Sequence, residues 1–217
     1  PAIAASSFAL PAGDIGFAST TPVLSNNMEL QVAPRKPPLP PEEFLRLVCG
    51  DDWLLFEQLG QGLAGMARHF GLLPPEARIL DVGCGCGRLA RFLRDDPIAS
   101  YSGFDRHSGM IAWCRQAFRD YSGRFDFRHF GLRTVYTSVD GESGDCELAQ
   151  VRFPYAEAHF DSIVASSVFT HIPPEEVATY LALLRRWLRP GGRALVSVFH
   201  TEGKSFQEGL GFSLNIE

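Results

Sequence analysis

Lysine is nearly absent: the 217-residue chain carries it only at Lys36 and Lys204. The other basic residues are arginines scattered along the sequence, and the net charge is −5. No stripe of cations is available to neutralise a phosphate backbone, which argues against nucleic acid as a partner. Long apolar runs are missing too. Nothing approaches the ~20 residues that span a bilayer, and the opening PAIAASSFAL has neither the basic nor the long apolar region of a secretory signal. A protein of the cytoplasm, without a membrane partner, is therefore expected. Paired cysteines are the third absence. Cys49, Cys84, Cys86, Cys114 and Cys146 form an odd set with no C-x-x-C pair, which suits reduced thiols rather than a disulfide framework. Cys84 and Cys86 also stand closer together than the usual zinc-ligand spacing, so no metal site is expected.

What is present is an apolar content of 45%, enough for one full-sized core but, at this length, short for two. Residues 1–41 lack apolar periodicity and end in PRKPPLPP, an extended, polyproline-like composition that predicts a flexible N-terminal arm. Residues 42–76 predict a helical cap or lid. Phe44, Leu45 and Val48, then Trp53, Phe56, Leu59 and Leu63, recur at helical intervals, with Asp51 as the expected cap. Gly60, Gly62 and Gly65 weaken the second of these helices. Residues 77–217 predict the core. Short strand-like runs, Arg78–Val82, Tyr101–Asp105, Phe125–Phe130, Phe160–Ser166 and Arg193–Phe199, alternate with helical or loop segments, the pattern of βαβ units and a parallel sheet. PPEEVATYLALLRRWLRPGG predicts a helix with its buried stripe at Val177, Tyr180, Leu181, Leu184 and Leu188. The polar stretch between Gly131 and Pro154 shows no periodicity, and a loop of that length tends to be functional or disordered.

The sharpest signal is ILDVGCGCGRLA. Glycines at 83, 85 and 87 follow a strand and precede a helix, so the backbone there can approach a ligand and turn its N–H groups toward it. A dinucleotide fingerprint would need a glycine at 88, where Arg88 stands. Asp105 ends the second strand about 20 residues past the turn, placed to accept hydrogen bonds from both hydroxyls of an adenosine ribose. Asp81, inside the first strand, needs a donor if buried, and a ligand amino group is one candidate. Capping a turn is the plainer role open to Asp81, as core packing is to Met110 and strand-end hydrogen bonding to Ser166 and Ser167.

The spacing D-x-G-x-G-x-G in ILDVGCGCGRLARFL resembles motif I of the class I S-adenosylmethionine-dependent methyltransferases. YSGFDRHSGMIAWCRQ is similar to the second strand and following helix of that family, and FPYAEAHFDSIVASSVFTHIPPEEVATYLALLRRWLRPGGRALVSVF to its fourth strand through its fifth. The resemblance runs from about Ala77 to Phe199. It implies a Rossmann-like three-layer α/β sandwich and S-adenosylmethionine as cofactor. Gly83, Cys84, Gly85 and Gly87 would pass the methionine part, Arg106 and Met110 would flank the adenine, and Ser166 and Ser167 would lie beside the sulfonium. Many members hold the adenine amino group with an acid after strand three, but the matching position here is near Gly131. The antiparallel strands that close the family's sheet find room for one strand at most after Phe199, so that edge is expected to be incomplete or rebuilt.

The acceptor has to be aligned with the methyl group, and a hydroxyl acceptor must also lose a proton. His171, directly after the fourth strand, is the candidate base, with capping of the next helix as its alternative role. The tetrapeptide of amide- and base-directed enzymes is replaced by SSVF, and the paired-glutamate loop of protein-arginine enzymes is missing. A small molecule methylated on oxygen is therefore expected, under an aromatic lid drawn from Phe8, Phe17, Phe44, Trp53 and Phe56. A non-catalytic cofactor-binding or regulatory module of the same fold is the alternative.

Overall fold

A computed structural model of the chain describes residues 36–50, 52–132, 146–170, 172 and 174–199, together with the strand at 212–215. These residues fall in one compact unit, Pro34–Glu217. The chain order is α1 (Glu42–Cys49), α2 (Trp53–His69), β1 (Arg78–Val82), α3 (Ala90–Leu93), β2 (Ser100–Asp105), α4 (Ser108–Ala117), β3 (Phe125–His129), β4 (Phe160–Ala165), α5 (Pro174–Trp187), β5 (Leu188–Phe199) and β6 (Phe212–Asn215). The sheet order is β3-β2-β1-β4-β5-β6. β1 to β5 are parallel, and β6 runs antiparallel on β5 from Phe199↔Phe212 to Val196↔Asn215. The expected rebuilt edge is therefore one strand deep among the described residues.

Strand alternation sorts the core into two layers. Ile79 of β1, Tyr101 of β2 and Phe125 and Phe127 of β3 pack with Ala90 and Leu93 of α3 and Ile111 and Cys114 of α4. Leu80, Val82, Phe104, Ile163 and Ala165 face the other way, onto Tyr180, Leu184 and Trp187 of α5. Helices thus cover both faces of the parallel sheet, the three-layer arrangement that the βαβ pattern implies.

The first two helices differ in detail from the sequence reading. Asp52, not Asp51, caps α2, accepting from Leu54 N at 2.8 Å and Leu55 N at 3.0 Å; Asp51 lies outside the described residues. Phe56 and Leu63 are buried, but Trp53 and Leu59 are 55% and 43% exposed. Buried Ala64 and Ala67 join the core layer of α3 and α4. Gly60 permits that approach, since a Cβ there would meet the Phe92 ring at 2.5 Å and the Arg88 carbonyl oxygen at 2.9 Å. In α5, Leu181 is 48% exposed while Trp187 is buried. The buried stripe centres on Tyr180, Leu184 and Trp187, and Leu181 falls beyond its edge.

The last residues of the predicted arm are docked. Pro37 and Pro40 are buried. The buried guanidinium of Arg91 donates to the Pro37 carbonyl and, at 3.0 Å, to that of Pro38, and also pairs with Glu57 at 2.6 Å. Lys36 meets the same Glu57 at 3.1 Å. A polyproline segment makes no internal hydrogen bonds, so its carbonyls are available to such donors. Residues 1–35 lie outside the described residues.

Candidate functional site

The strand order reverses between β1 and β4, and in open α/β sheets the crevice at such a switch point takes the ligand. Here the carboxyl ends of β1, β2 and β4 open into a cavity of about 840 Å³, within the ~300–1,000 Å³ range of small-molecule sites. Its floor is the turn Gly83–Cys86 and its side is Asp105, Arg106 and His107. Met110 lines it from α4, and Ser166, Ser167 and Val168 bound it after β4.

Asp105 is the best-organised group. One carboxylate oxygen accepts from Gly85 N at 2.8 Å and the other from His107 N at 2.9 Å. A carboxylate has about four acceptor positions, so each oxygen keeps capacity for a further donor. Burial raises its proton affinity and the two N–H donors oppose that rise, leaving the group above the ordinary carboxylate value. The arrangement suits a vicinal diol, the donor pair that a ribose presents. His107 caps α4 by accepting from Met110 N at 3.3 Å and stands edge-on to Phe44 at 5.5 Å.

The glycines divide their labour. All three have positive φ, from 52° to 76°. A Cβ on Gly83 would strike Val168 at 2.5 Å, and one on Gly87 would strike Phe118 at 2.9 Å, whereas Gly85 would meet only ordinary contacts at 3.6 Å or beyond. Gly83 and Gly87 therefore let the loop pack, and Gly85, on the cavity floor, keeps the ligand side open. Gly87 stands behind the loop rather than on the cavity wall. Cys84 and Cys86 line the floor as protonated thiols, since burial drives Cys84 well up and Cys86 to about 12. Such thiols are poor nucleophiles. No group of three or more His, Cys, Asp or Glu side chains among the described residues is arranged to hold a metal ion.

Asp81 is also set back from the cavity. Strand parity puts it on the Ile79 face, where the Tyr101 hydroxyl donates to it at 2.5 Å. Burial pushes its carboxyl up to about 7 despite that bond and the nearby Arg88 charge. Met110 is at once buried core, with Leu45, Phe56 and Cys86, and cavity wall. Ser167 adopts φ 61°, strain of the kind that collects at functional sites. Its N–H donates to Ser197 Oγ of β5 at 2.6 Å, and its carbonyl accepts from Thr170 Oγ1 at 3.0 Å. His171 lies outside the described residues, as do Phe8, Phe17 and 133–145.

Among the described residues, the cavity is lined on its helical side by aliphatic side chains and not by Phe44, Trp53 or Phe56. Phe56 is buried in the core, Trp53 is exposed, and the cavity instead meets Leu47 and Val48 of α1 and Leu59, Leu63 and Met66 of α2. Sequence reading also passed over Arg88, Tyr180 and Ser197, which line the cavity. Arg88 had a signal, being a cation directly after the last turn glycine. Ser197 had none, because β5 reaches the site through sheet order alone.

Residues 80–196 match the methyltransferase domain family, described as "Methyltransferase domain". The chain belongs to that family, the class I S-adenosylmethionine-dependent methyltransferases. It is 28% identical over 153 residues to the 2-phytyl-1,4-naphtoquinone methyltransferase of Synechococcus elongatus, covering 67% of this chain and 58% of that protein. It is 30% identical over 129 residues to phosphoethanolamine N-methyltransferase 3 of Arabidopsis thaliana, covering 58% and 21%. A hybrid PKS-NRPS synthetase, thnA of Trichoderma harzianum, matches at 26% identity over 71% of this chain and 3% of its own length. The chain thus spans at most about three-fifths of these relatives. Among solved structures, the [4+2]-cyclase SpnF aligns with a TM-score of 0.51 at 24% identity, covering 68% of this chain and 49% of that one. A putative S-adenosyl-L-methionine-dependent methyltransferase of Methanococcus maripaludis aligns with 0.51 at 16%, covering 71% and 59%. These likenesses concern the fold, which does not by itself fix the chemistry.

Proposed function

We propose that the chain moves the methyl group of S-adenosylmethionine to a small-molecule acceptor, and that the atom methylated is a hydroxyl oxygen. The observation that carries the cofactor reading is Asp105, whose two oxygens are each fixed by one main-chain N–H and open to one further donor. In this reading Asp105 takes the ribose diol. The turn Gly83–Cys86 borders the methionine part and Arg88 its carboxylate. Arg106, His107 and Met110 border the adenine. Asp81 acts from behind, held by the Tyr101 hydroxyl, and reaches the ligand only through water. Once bound, the sulfonium supplies an activated methyl group.

The chain's own residues then have three tasks. The aliphatic side chains of α1 and α2 exclude water from the cavity. Ser166 and Ser167 border the transfer end, with Ser167 held by Ser197. A hydroxyl acceptor needs a base, and His171, next to Ile172 on the cavity wall, is the proposed one. The oxygen preference is supported by the sequence SSVF after β4 in place of an amide-binding tetrapeptide.

Calorimetric titration with S-adenosylmethionine and S-adenosylhomocysteine tests the cofactor reading. Micromolar binding is expected, weakened at least tenfold in Asp105→Ala, since hydrogen bonds to a charged group each contribute about 1.5–3 kcal/mol. Equal binding by the variant would refute the ribose assignment. Cofactor binding without turnover of any phenol, alcohol or amine would favour a regulatory module.

A further inference from the structure

The cavity has a second wall. Leu59, Leu63 and Met66 of α2 face it, joined by Leu47 of α1. The α2 residues stand at i, i+4 and i+7, one face of a helix running about 10 Å. Leu63 is buried, but Leu59, Met66 and Leu47 keep 43%, 37% and 42% of their surface exposed. Leu55, one turn earlier, extends the stripe beyond the cavity at 36%. Gly62 flanks the stripe, and nothing lies within 4 Å of the position its Cβ would take, so a longer side chain there has open space beside the stripe. The charged residues lining the cavity among the described residues are Arg88, Asp105 and Arg106, and none of them belongs to α1 or α2.

An uncovered aliphatic stripe continuous with a reaction cavity is surface that a ligand can remove from water. A charged acceptor would lose hydration against it without a compensating partner. We propose that the methyl acceptor is an apolar molecule, a ring or alkyl chain laid along Leu59, Leu63 and Met66, with its hydroxyl at the Ser166–Ser167 end. The proposal rests on the cofactor reading above and adds the acceptor's chemical class. Leu59 and Met66 set specificity and have no chemical part in the transfer.

Calorimetry on the full chain saturated with S-adenosylhomocysteine, titrated with phenol, 4-ethylphenol, 4-butylphenol and 4-hexylphenol, tests it, with phosphoethanolamine as the polar control. Each added methylene is expected to tighten binding about fourfold until the groove is filled, and phosphoethanolamine should not saturate. The double variant Leu59→Ser/Met66→Ser should bind S-adenosylhomocysteine as the parent does, yet lose the methylene increment and bind 4-hexylphenol at least tenfold more weakly. Gly62→Leu, which raises helix propensity at an exposed position, should keep the melting temperature at or above that of the parent while weakening 4-hexylphenol about tenfold by filling the groove. The proposal is overturned if 4-hexylphenol binds no tighter than phenol, as it would were the wall covered by another segment of the chain. It is equally overturned if the double variant keeps the increment, or if phosphoethanolamine saturates. Failure to bind S-adenosylhomocysteine at all would remove the cofactor reading, and this proposal with it.

Discussion

Two carboxylates on adjacent strands, Asp81 paired with Gly103 and Asp105 two residues further on, show how neighbours decide what an acid can do. Asp105 is held by two N–H groups at the cavity. Asp81 is buried beside a tyrosine hydroxyl and titrates near 7, above the ordinary 3.8. A raised carboxyl contributes stability that is present below pH 3.8 and is lost as pH rises through about 7. Relative to Asp81→Asn, the parent should therefore lose up to about 1.4 kcal/mol per pH unit across that window and level off above it. Urea unfolding from pH 4 to 8 measures this, and a difference that stays flat would refute it. At the transfer end, Ser197 holds the strained Ser167 by its N–H. In Ser197→Ala, the Ser167 amide is expected to exchange with solvent at least tenfold faster, read by NMR.

The boundaries of β1 to β4 were legible at the scale of elements because each is an apolar run bounded by turn residues, but β5 begins at Leu188, five residues before its expected start and inside the stripe expected of α5. β1 matches its predicted span and β2 differs by one residue. Helix phase was harder to read. In α5 the run of leucines allows more than one stripe, and only the sheet's position selects Tyr180, Leu184 and Trp187 over Leu181. In α2, apolar residues surround most of the helix, and the sequence cannot say which face meets the core and which the cavity. The glycine turn at the cavity was readable because glycine spacing and Asp105 are local; Ser197 and the aliphatic wall were not, because tertiary packing delivers them. The glycines of α2 make a paired test. Gly60→Ala meets Phe92 and the Arg88 carbonyl and should cost about 1–3 kcal/mol. Gly62→Ala meets nothing and should stabilise by up to about 1 kcal/mol. Thermal unfolding of the two variants distinguishes them, and equal shifts would contradict the packing described.

For the molecule as a whole, the sheet supplies the floor of the site and the N-terminal helices its roof. α1 reaches the glycine turn through Val48, 3.6 Å from where a Gly85 Cβ would lie. The roof is tethered by Arg91, whose side chain joins Glu57 to the carbonyls of Pro37 and Pro38. Arg91→Leu leaves Glu57 with Lys36 as its remaining partner and removes the donor to Pro37 and Pro38, and should cost about 1.5 kcal/mol. It should also weaken S-adenosylhomocysteine, because α1 hangs from the tethered segment; unchanged affinity would separate tether from roof. The same tether has a kinetic meaning. Arg91 and Pro37 are 54 residues apart in sequence, and a few side-chain hydrogen bonds hold them together where the sheet is held by a ladder. The roof is therefore expected to open at lower free energy than the sheet. Hydrogen exchange should find the amides of α1 opening in a unit separate from β1 and β4, so that the site is uncovered while the sheet stays folded.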